Sequence, residues 1–205
     1  VSGGWHDAGD YGRYVVPGAK TVADLLLAFE EYGSVFGDST GIPESGNKIP
    51  DVLDEARYEL EWMFKMQDNK SGGVYHKVTG ANFEDNTVMP QDVKDEQFIM
   101  PISNCATGDF SAVMAMASRV YKQYDASFAK KCLKASKQAF SYLDKNLEKE
   151  GYTNPSDITT GEYGDTENKD EYLWALAELY KTTGDSTYQT KIAGLEFDKL
   201  QDGLG

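Results

Sequence analysis

Hydrophobic residues recur every three or four positions along most of this chain, a spacing that places them on one face of an α-helix. The first such stripe covers residues 17–36, and Gly37 follows it as a stop signal. A second stripe covers residues 52–64, and Pro50 and Asp51 precede it as start signals. The pattern therefore predicts two helices joined by a polar loop.

The helical period is lost between residues 70 and 103. Ser71-Gly72-Gly73, Pro90 and Pro101 interrupt this stretch, and only residues 74–78 alternate in the manner of a short β-strand. We therefore expect a long loop that crosses one face of the molecule.

Helical periodicity returns after this loop. Stripes over residues 110–124 and 128–147 predict two antiparallel helices joined near Asp125. Thr107 or Asp109 is the expected N-terminal cap of the first of these helices, because short oxygen-bearing side chains satisfy free backbone N–H groups there.

Two further helices complete the pattern. After a loop at residues 151–169, a fifth stripe covers residues 172–180, and Gly184-Asp185-Ser186 introduces a sixth helix. Six helices joined alternately by short turns and long loops indicate an all-α fold with functional loops at one end. No linker or repeat divides the chain, so we expect one domain.

Composition and charge narrow the possible partners. The chain has 205 residues, of which 40% are hydrophobic and 26% charged, as is typical of a globular protein. The net charge of -14 argues against nucleic-acid binding, because a phosphate backbone attracts clustered Lys and Arg. No apolar run approaches the roughly 20 residues of a membrane-spanning helix, so we also expect no membrane partner. Cys105 and Cys132 fit no disulfide framework or short zinc spacing, and we predict buried free thiols.

Two carboxylates, Asp7 and Asp10, lie close together in a glycine-rich segment near the start of the chain. Ala8 and Gly9 let the backbone bend between them, so both carboxylates can face one small space and deprotonate a single water. The same spacing is also a common turn signal, in which Asp side chains bind their own backbone. Spacing alone therefore leaves catalysis, ligand binding and a simple turn open.

The segment around these acids, Gly-Gly-Trp-His-Asp-Ala-Gly-Asp-Tyr-Gly-Arg-Tyr-Val-Val, closely resembles the nucleophilic-water motif of glycoside hydrolase family 9. Four later stretches resemble the same family in the same order, at residues 42–47, 49–57, 72–79 and 161–165. The resemblance implies part of an (α/α)6 barrel with long loops on one face. It also implies hydrolysis of β-1,4-glucan with inversion at the anomeric carbon.

The resemblance implies separate roles for the two acids. Inversion uses a carboxylate base that activates water and a carboxylic acid that protonates the leaving oxygen, with about 6.5–9.5 Å between them. By position in the motif, Asp10 resembles the base and Asp7 the second carboxylate that holds the water. The acid of this family is a Glu in a C-terminal Asn-Glu motif, for which residues 1–205 offer no match. We therefore expect the N-terminal portion of one catalytic domain, incomplete at both ends and inactive without the remainder C-terminal to Gly205.

Three further residues are candidates for contact with a sugar. Trp5 and Tyr11 flank the acids, and an aromatic face can stack on a pyranose ring, although core packing is the alternative for both. His76 is a weaker candidate for orienting a sugar hydroxyl, and a hydrogen-bonded structural histidine is its alternative. At residues 90–92 the chain reads Pro-Gln-Asp where the family often has Pro-Glu-Asp, which puts the substrate contacts of that loop in doubt.

Five carboxylates crowd the stretch from residue 161 to residue 171. Such a cluster either binds a cation or favours the positive end of a helix dipole. Family 9 barrels have a structural calcium ion at a loop leading into an Asp-Glu helix start, and this stretch resembles that loop. The resemblance therefore implies calcium here. The expected ligands are Asp165, Asp170 and Glu171.

Two classes of function remain open at this stage. One is a family 9 endo-β-1,4-glucanase, and the other is a non-catalytic carbohydrate-binding relative with the same fold. Among enzymes, an exo-acting glucosaminidase is a further alternative. The expected partner is a β-1,4-glucan polysaccharide, and because such a polymer cannot enter a cell, we expect secretion.

Overall fold

The computed structural model describes residues 1–148 and 151–195, and α-helices dominate this part of the chain. The helices are α1 (Val15–Tyr32), α2 (Asp51–Met66), α3 (Asn104–Tyr121), α4 (Ala126–Asn146), α5 (Lys169–Thr183) and α6 (Ser186–Ala193). Five short strands accompany them, namely β1 (Arg13–Tyr14), β2 (Val74–Tyr75), β3 (Lys77–Thr79), β4 (Phe98–Ile99) and β5 (Ile102–Ser103). The prediction of a helical fold is confirmed.

Helix α3 lies at the centre of the packing. It contacts α1 and α5, and α4 packs closely along it after a short connection at residues 122–125. Every residue of α3 except Arg119 is buried. Small side chains allow the close approach of α4, where the Ser111 hydroxyl donates to the Ser136 carbonyl at 3.0 Å and the Ser136 hydroxyl donates to the Ser111 carbonyl at 2.6 Å. These reciprocal bonds satisfy buried polar groups inside the interface.

Two predicted helix boundaries differ from the structure. The first helix ends at Tyr32, and a 3₁₀ turn, Gly33–Val35, continues toward Phe36. The predicted caps of α3, Thr107 and Asp109, are wrong, because the N-cap is Ser103, whose hydroxyl accepts from the Ala106 N–H at 3.2 Å. The first turn of α3 is made of small and polar residues that show no apolar period. The hydrophobic pattern therefore begins several residues after the helix itself begins.

The predicted strand at residues 74–78 is two strands that meet at His76. β2 pairs with β5, whereas β3 is the central strand of the three-stranded sheet β1-β3-β4. The His76 carbonyl accepts from the Val15 N–H, and the His76 N–H donates to the Pro101 carbonyl, each at 3.1 Å. In the β1–β3 pair Tyr14 lies opposite Lys77. This pairing attaches the N-terminal segment to the long loop.

Both cysteines are free and buried, as predicted. Cys132 belongs to the main hydrophobic core, which is formed largely by α1 to α4, and Cys105 belongs to a smaller cluster with Met100 and Tyr152. Among the residues described, none of the helices has the length and apolarity required to cross a bilayer.

Candidate active site

The segment that carries Asp7 and Asp10 is a closed loop. The Asp7 N–H donates to the Gly12 carbonyl at 3.0 Å, which brings both ends of the loop together. One oxygen of each carboxylate binds the local backbone, because Asp7 Oδ1 accepts from the Ala8 N–H at 2.9 Å and Asp10 Oδ1 accepts from the Gly12 N–H at 2.5 Å. The turn interpretation of this spacing is thus correct for one oxygen of each acid, and the other oxygen of each points elsewhere.

Glycine is required immediately before this loop. Gly4 has a φ of 86°, in the left-handed region, and a Cβ atom there would lie 2.6 Å from Cγ of the buried Trp62. A side chain at this position would therefore clash with an aromatic ring of α2 as well as strain the backbone. The glycine lets the segment approach α2 closely.

Two tyrosines hold the remaining carboxylate oxygens. The Tyr14 hydroxyl donates to Asp10 Oδ2 at 2.8 Å, and the Tyr163 hydroxyl donates to Asp7 Oδ2. Their rings meet edge to face, with centroids 4.9 Å apart. Burial and the bond to Asp10 raise the pKa of Tyr14, and the bond to Asp7 followed by burial raises the pKa of Tyr163 to about 12. Both phenols therefore remain protonated hydrogen-bond donors at neutral pH.

Asp7 lies between two clefts. The larger, of ≈ 400 Å³, is lined by Asp7, Asp10 and Tyr11 together with residues 84–86 of the long loop. The smaller, of ≈ 270 Å³, is lined by Trp5 and Asp7 and continues to Glu59. The structure thus brings four of the predicted residues to one region, with Asp10 and Tyr11 in the larger cleft, Trp5 in the smaller and Asp7 in both. The Tyr11 hydroxyl also donates to the Val88 carbonyl at 2.6 Å, which ties the long loop to the cleft.

Glu59 is a site residue that sequence reasoning missed. This α2 side chain is only 1% exposed, and its Oε2 accepts from the Trp5 backbone N–H at 2.6 Å. One turn earlier, Glu55 Oε1 accepts from the indole N–H of Trp5 at 2.7 Å. Burial raises the pKa of the Glu59 carboxyl to about 7, although the bond from the Trp5 N–H and then the charge of Arg13 oppose the shift. The available signal was a charged residue on the apolar face of a predicted helix.

His76 lies away from both clefts and is 1% exposed. Its Nε2 donates to the Glu162 carbonyl at 2.8 Å, and its Nδ1 accepts from the Ser103 hydroxyl at 2.8 Å. The ring stacks on Tyr152 with centroids 3.6 Å apart, and burial lowers its pKa to about 4. Both ring nitrogens are occupied inside the protein, so this geometry argues against the sugar contact that we predicted and favours the structural alternative.

The three predicted calcium ligands lie together at the start of α5. One carboxylate oxygen from each of Asp165, Asp170 and Glu171 lies within 4.8 Å of the other two. Glu171 is 8% exposed, and its Oε2 has no hydrogen-bond partner within residues 1–148 and 151–195. Burial is the main cause that raises the pKa of Glu171 to about 9, and the neighbouring Asp170 and Asp109 add to the rise. Asp109 of α3 is also buried beside this group, and its pKa is raised by burial and by Asp170 and Asp165. An unpaired buried oxygen among converging carboxylates fits an oxygen-binding cation such as calcium.

Comparison with known proteins gives a consistent result. The family model described as glycosyl hydrolase family 9 matches residues 1–202. The chain is 43% identical to endoglucanase D of Acetivibrio thermocellus over 187 residues, which cover 90% of this chain and 30% of that protein. It is 39% identical to a xyloglucan-specific endo-β-1,4-glucanase of Bacteroides ovatus over 200 residues, which cover 92% of this chain and 34% of that protein.

Structural comparison gives the same picture. The crystal structure of a single mutant of a thermostable endoglucanase from Alicyclobacillus acidocaldarius matches with a TM-score of 0.88 at 42% identity, covering 93% of this chain and 36% of that one. The likeness confirms the predicted fold class, in which these helices are part of an (α/α)6 barrel. The chain spans about a third of the length of these relatives.

Proposed function

Because the chain belongs to glycosyl hydrolase family 9, we propose that it carries the water-activating part of an active site that hydrolyses β-1,4-glucosidic bonds with inversion. The observation that carries the proposal is the arrangement of Asp7 and Asp10. Both line one cleft, and each is held by a tyrosine hydroxyl. Because the two tyrosine hydroxyls fix the orientation of both carboxylates, the pair is preorganised to bind a water molecule between them.

Asp10 is the proposed general base. Its two oxygens accept from the Gly12 N–H and the Tyr14 hydroxyl, and a carboxylate oxygen has a second lone pair with which to accept from water. Asp7 accepts the other hydrogen of the same water and so orients its oxygen. As the glycosidic bond breaks, Asp10 takes one proton from the water, and the resulting hydroxide attacks the anomeric carbon from the face opposite the leaving oxygen. A carboxylic acid outside residues 1–205 supplies the proton to the leaving oxygen.

The substrate is a β-1,4-glucan chain lying in the cleft beside Asp10. The cleft volume of ≈ 400 Å³ lies within the range of about 300–1,000 Å³ that is common for ligand sites. Tyr11 offers an aromatic wall in this cleft, and Trp5 offers one in the adjoining cleft. The names of the two relatives above support internal cleavage of a polymer. A polymeric substrate in turn supports secretion of the protein.

A structural calcium ion belongs to this proposal. Asp165, Asp170 and Glu171 would hold it, with Glu171 Oε2 gaining the partner that it lacks among the described residues. The ion would supply positive charge that compensates the buried carboxyls of Glu171 and Asp109. Tyr163 lies two positions before Asp165, so the ion would also anchor the loop that presents the tyrosine hydroxyl to Asp7.

The test is hydrolysis of a soluble β-glucan by the full-length gene product and by its Asp10→Asn variant. We expect the substitution to lower kcat by about 10²–10⁴-fold, the usual contribution of a general base. The control is Asp24→Asn on α1, which removes an exposed carboxylate that pairs only with Lys20 in the described structure and should leave kcat unchanged. Full activity of Asp10→Asn would overturn the proposal.

Two further measurements test its remaining parts. Proton NMR of the first product should show the α-anomer, and a β-anomer would contradict inversion. Residues 1–205 expressed alone should release no sugar from the same glucan. Hydrolysis by that fragment at a rate abolished by Asp10→Ala would show that the general acid lies within this chain.

A further inference from the structure

Two consecutive residues, His76 and Lys77, hold the backbone immediately before Tyr163. The His76 Nε2–H donates to the Glu162 carbonyl at 2.8 Å, and Lys77 Nζ donates to the Gly161 carbonyl at 2.6 Å. Both side chains are buried, with 1% and 0% of their surface exposed. Neither residue lines the clefts around the acids.

The environment of Lys77 is unusual for a lysine. Its ammonium group donates to Asn154 Oδ1 at 2.8 Å, with longer contacts of 3.3 and 3.4 Å to the hydroxyl and carbonyl of Thr160. Burial lowers the pKa of Lys77 to about 8. A fully buried lysine is rare because desolvation of its charge is unfavourable, and an apolar side chain could fill the same space. What the ammonium adds is a set of directed bonds to the loop at residues 154–161.

Tyr163 needs such support. Its φ of 45° lies in the left-handed region, which is unfavourable for a side chain with a Cβ atom. The residue is 42% exposed, so packing alone does not hold it, and residues 151–168 contain no helix or strand. A residue in this conformation persists only when its surroundings determine it. The two carbonyl contacts supply that determination directly before the tyrosine.

Lys77 also reaches the second tyrosine. Tyr14 is its partner across the β1–β3 pair, and Lys77 Nζ lies 5.4 Å from the centroid of the Tyr14 ring. One side chain therefore contacts the ring that supports Asp10 and the loop whose tyrosine supports Asp7.

We propose that Lys77, assisted by His76, is a positioning residue that sets the two tyrosine hydroxyls against Asp7 and Asp10. The inference rests on the proposed function of these two acids. Lys77 acts mainly through Tyr163, so removing the ammonium and removing the Tyr163 hydroxyl should disturb the same interaction. This dependence distinguishes positioning from a general effect on folding.

The experiment is a double-mutant cycle with Lys77→Met and Tyr163→Phe in the full-length gene product. Each single variant should lower kcat by about 10- to 100-fold and change KM by less than about threefold, and the double variant should be no slower than the slower single variant. Lys131→Met is the control, because this exposed lysine pairs with Glu61 on the surface and should leave kcat unchanged. Equal effects of Lys77→Met in both Tyr163 backgrounds would overturn the proposal, as would an unchanged kcat.

A second pair of variants applies where Lys77→Met fails to fold. His76→Gln keeps an N–H donor for the Glu162 carbonyl, and His76→Leu removes it, so kcat should be largely retained in the first and reduced in the second.

Crystal structures give a readout that needs no activity, since Lys77→Met or His76→Leu should move the Tyr163 hydroxyl away from Asp7. An unmoved hydroxyl would refute the positioning role even in an inactive protein. Failure of the proposed function would be recognised by a different result, namely that hydrolysis by the parent protein is unchanged when Asp10 is substituted.

Discussion

Glu59 on α2 gives a prediction about stability that can be worked out from its surroundings. The carboxyl is 1% exposed, accepts from the Trp5 N–H, and has its pKa raised to about 7 mainly by burial. Replacing it with glutamine keeps the size of the side chain and an oxygen that accepts from Trp5, but removes the ionisable group. We predict that Glu59→Gln makes the protein more stable above neutral pH.

The direction of the pKa shift of Glu59 determines whether the substitution stabilises or destabilises the protein. At pH values below 4.5 the Glu59 carboxyl is protonated in both the folded and the unfolded chain, so the folded state loses nothing. As pH rises from 4.5 to about 7, the unfolded chain ionises while the folded protein stays protonated at this pKa, so the free energy of unfolding falls. A rise in pKa from 4.5 to about 7 corresponds to about 3 kcal/mol, because one pH unit is worth about 1.4 kcal/mol. The glutamine variant avoids this loss.

The assay is urea denaturation of the parent and the variant at several pH values from 4.5 to 8. The two free energies of unfolding should agree near pH 4.5 and diverge by up to about 3 kcal/mol at pH 8, with the variant higher. Glu31→Gln is the control, because Glu31 is an exposed carboxylate on α1 and its charge is not among the causes of the Glu59 shift. The free energy of unfolding of this variant should follow that of the parent at every pH. A constant difference between Glu59→Gln and the parent across this range would refute the reasoning.

Three further predictions concern packing, charge and metal. Arg119→Met should lower the free energy of unfolding by about 3 kcal/mol in chemical denaturation, because Arg119 joins Glu30 of α1 to Glu178 of α5. Its loss leaves the largely buried Glu178 without an ion-pair partner among the described residues and Glu30 with only the exposed Lys181; a loss below about 1 kcal/mol would contradict this. Gly4→Ala should lower the thermal midpoint and kcat together, since the new methyl group meets the Trp62 ring at 2.6 Å, and an unchanged midpoint would count against the close approach. Chelation of calcium should lower the thermal midpoint of the full-length gene product, and restoring calcium at about 100 times its dissociation constant should recover about 2.7 kcal/mol; an unchanged midpoint in a calorimetric scan would argue against the ion.

The helices were predictable because their signal is local. An apolar residue every three or four positions is visible in any isolated stretch, and it located all the helices described. The start of α3 was misplaced because its first turn, beginning at Asn104, is buried among other helices without showing an apolar period. The split of the predicted strand at His76 could not be predicted either, because it depends on which strands pair with each half. β3 lies between β1 and β4, whereas β2 pairs with β5.

Asp7 and Asp10 were identified from the sequence as a plausible pair because residues three positions apart in a glycine-rich turn are necessarily close. Their supports come from remote parts of the chain. Tyr163 is 156 positions from Asp7, and Lys77 is 84 positions from the Gly161 carbonyl that it holds. Periodicity and motif spacing describe only neighbours along the chain. The partners of these acids, and the burial that raises the pKa of Glu59, were decided by tertiary packing, because only the folded chain brings remote donors together and removes water from around a charge.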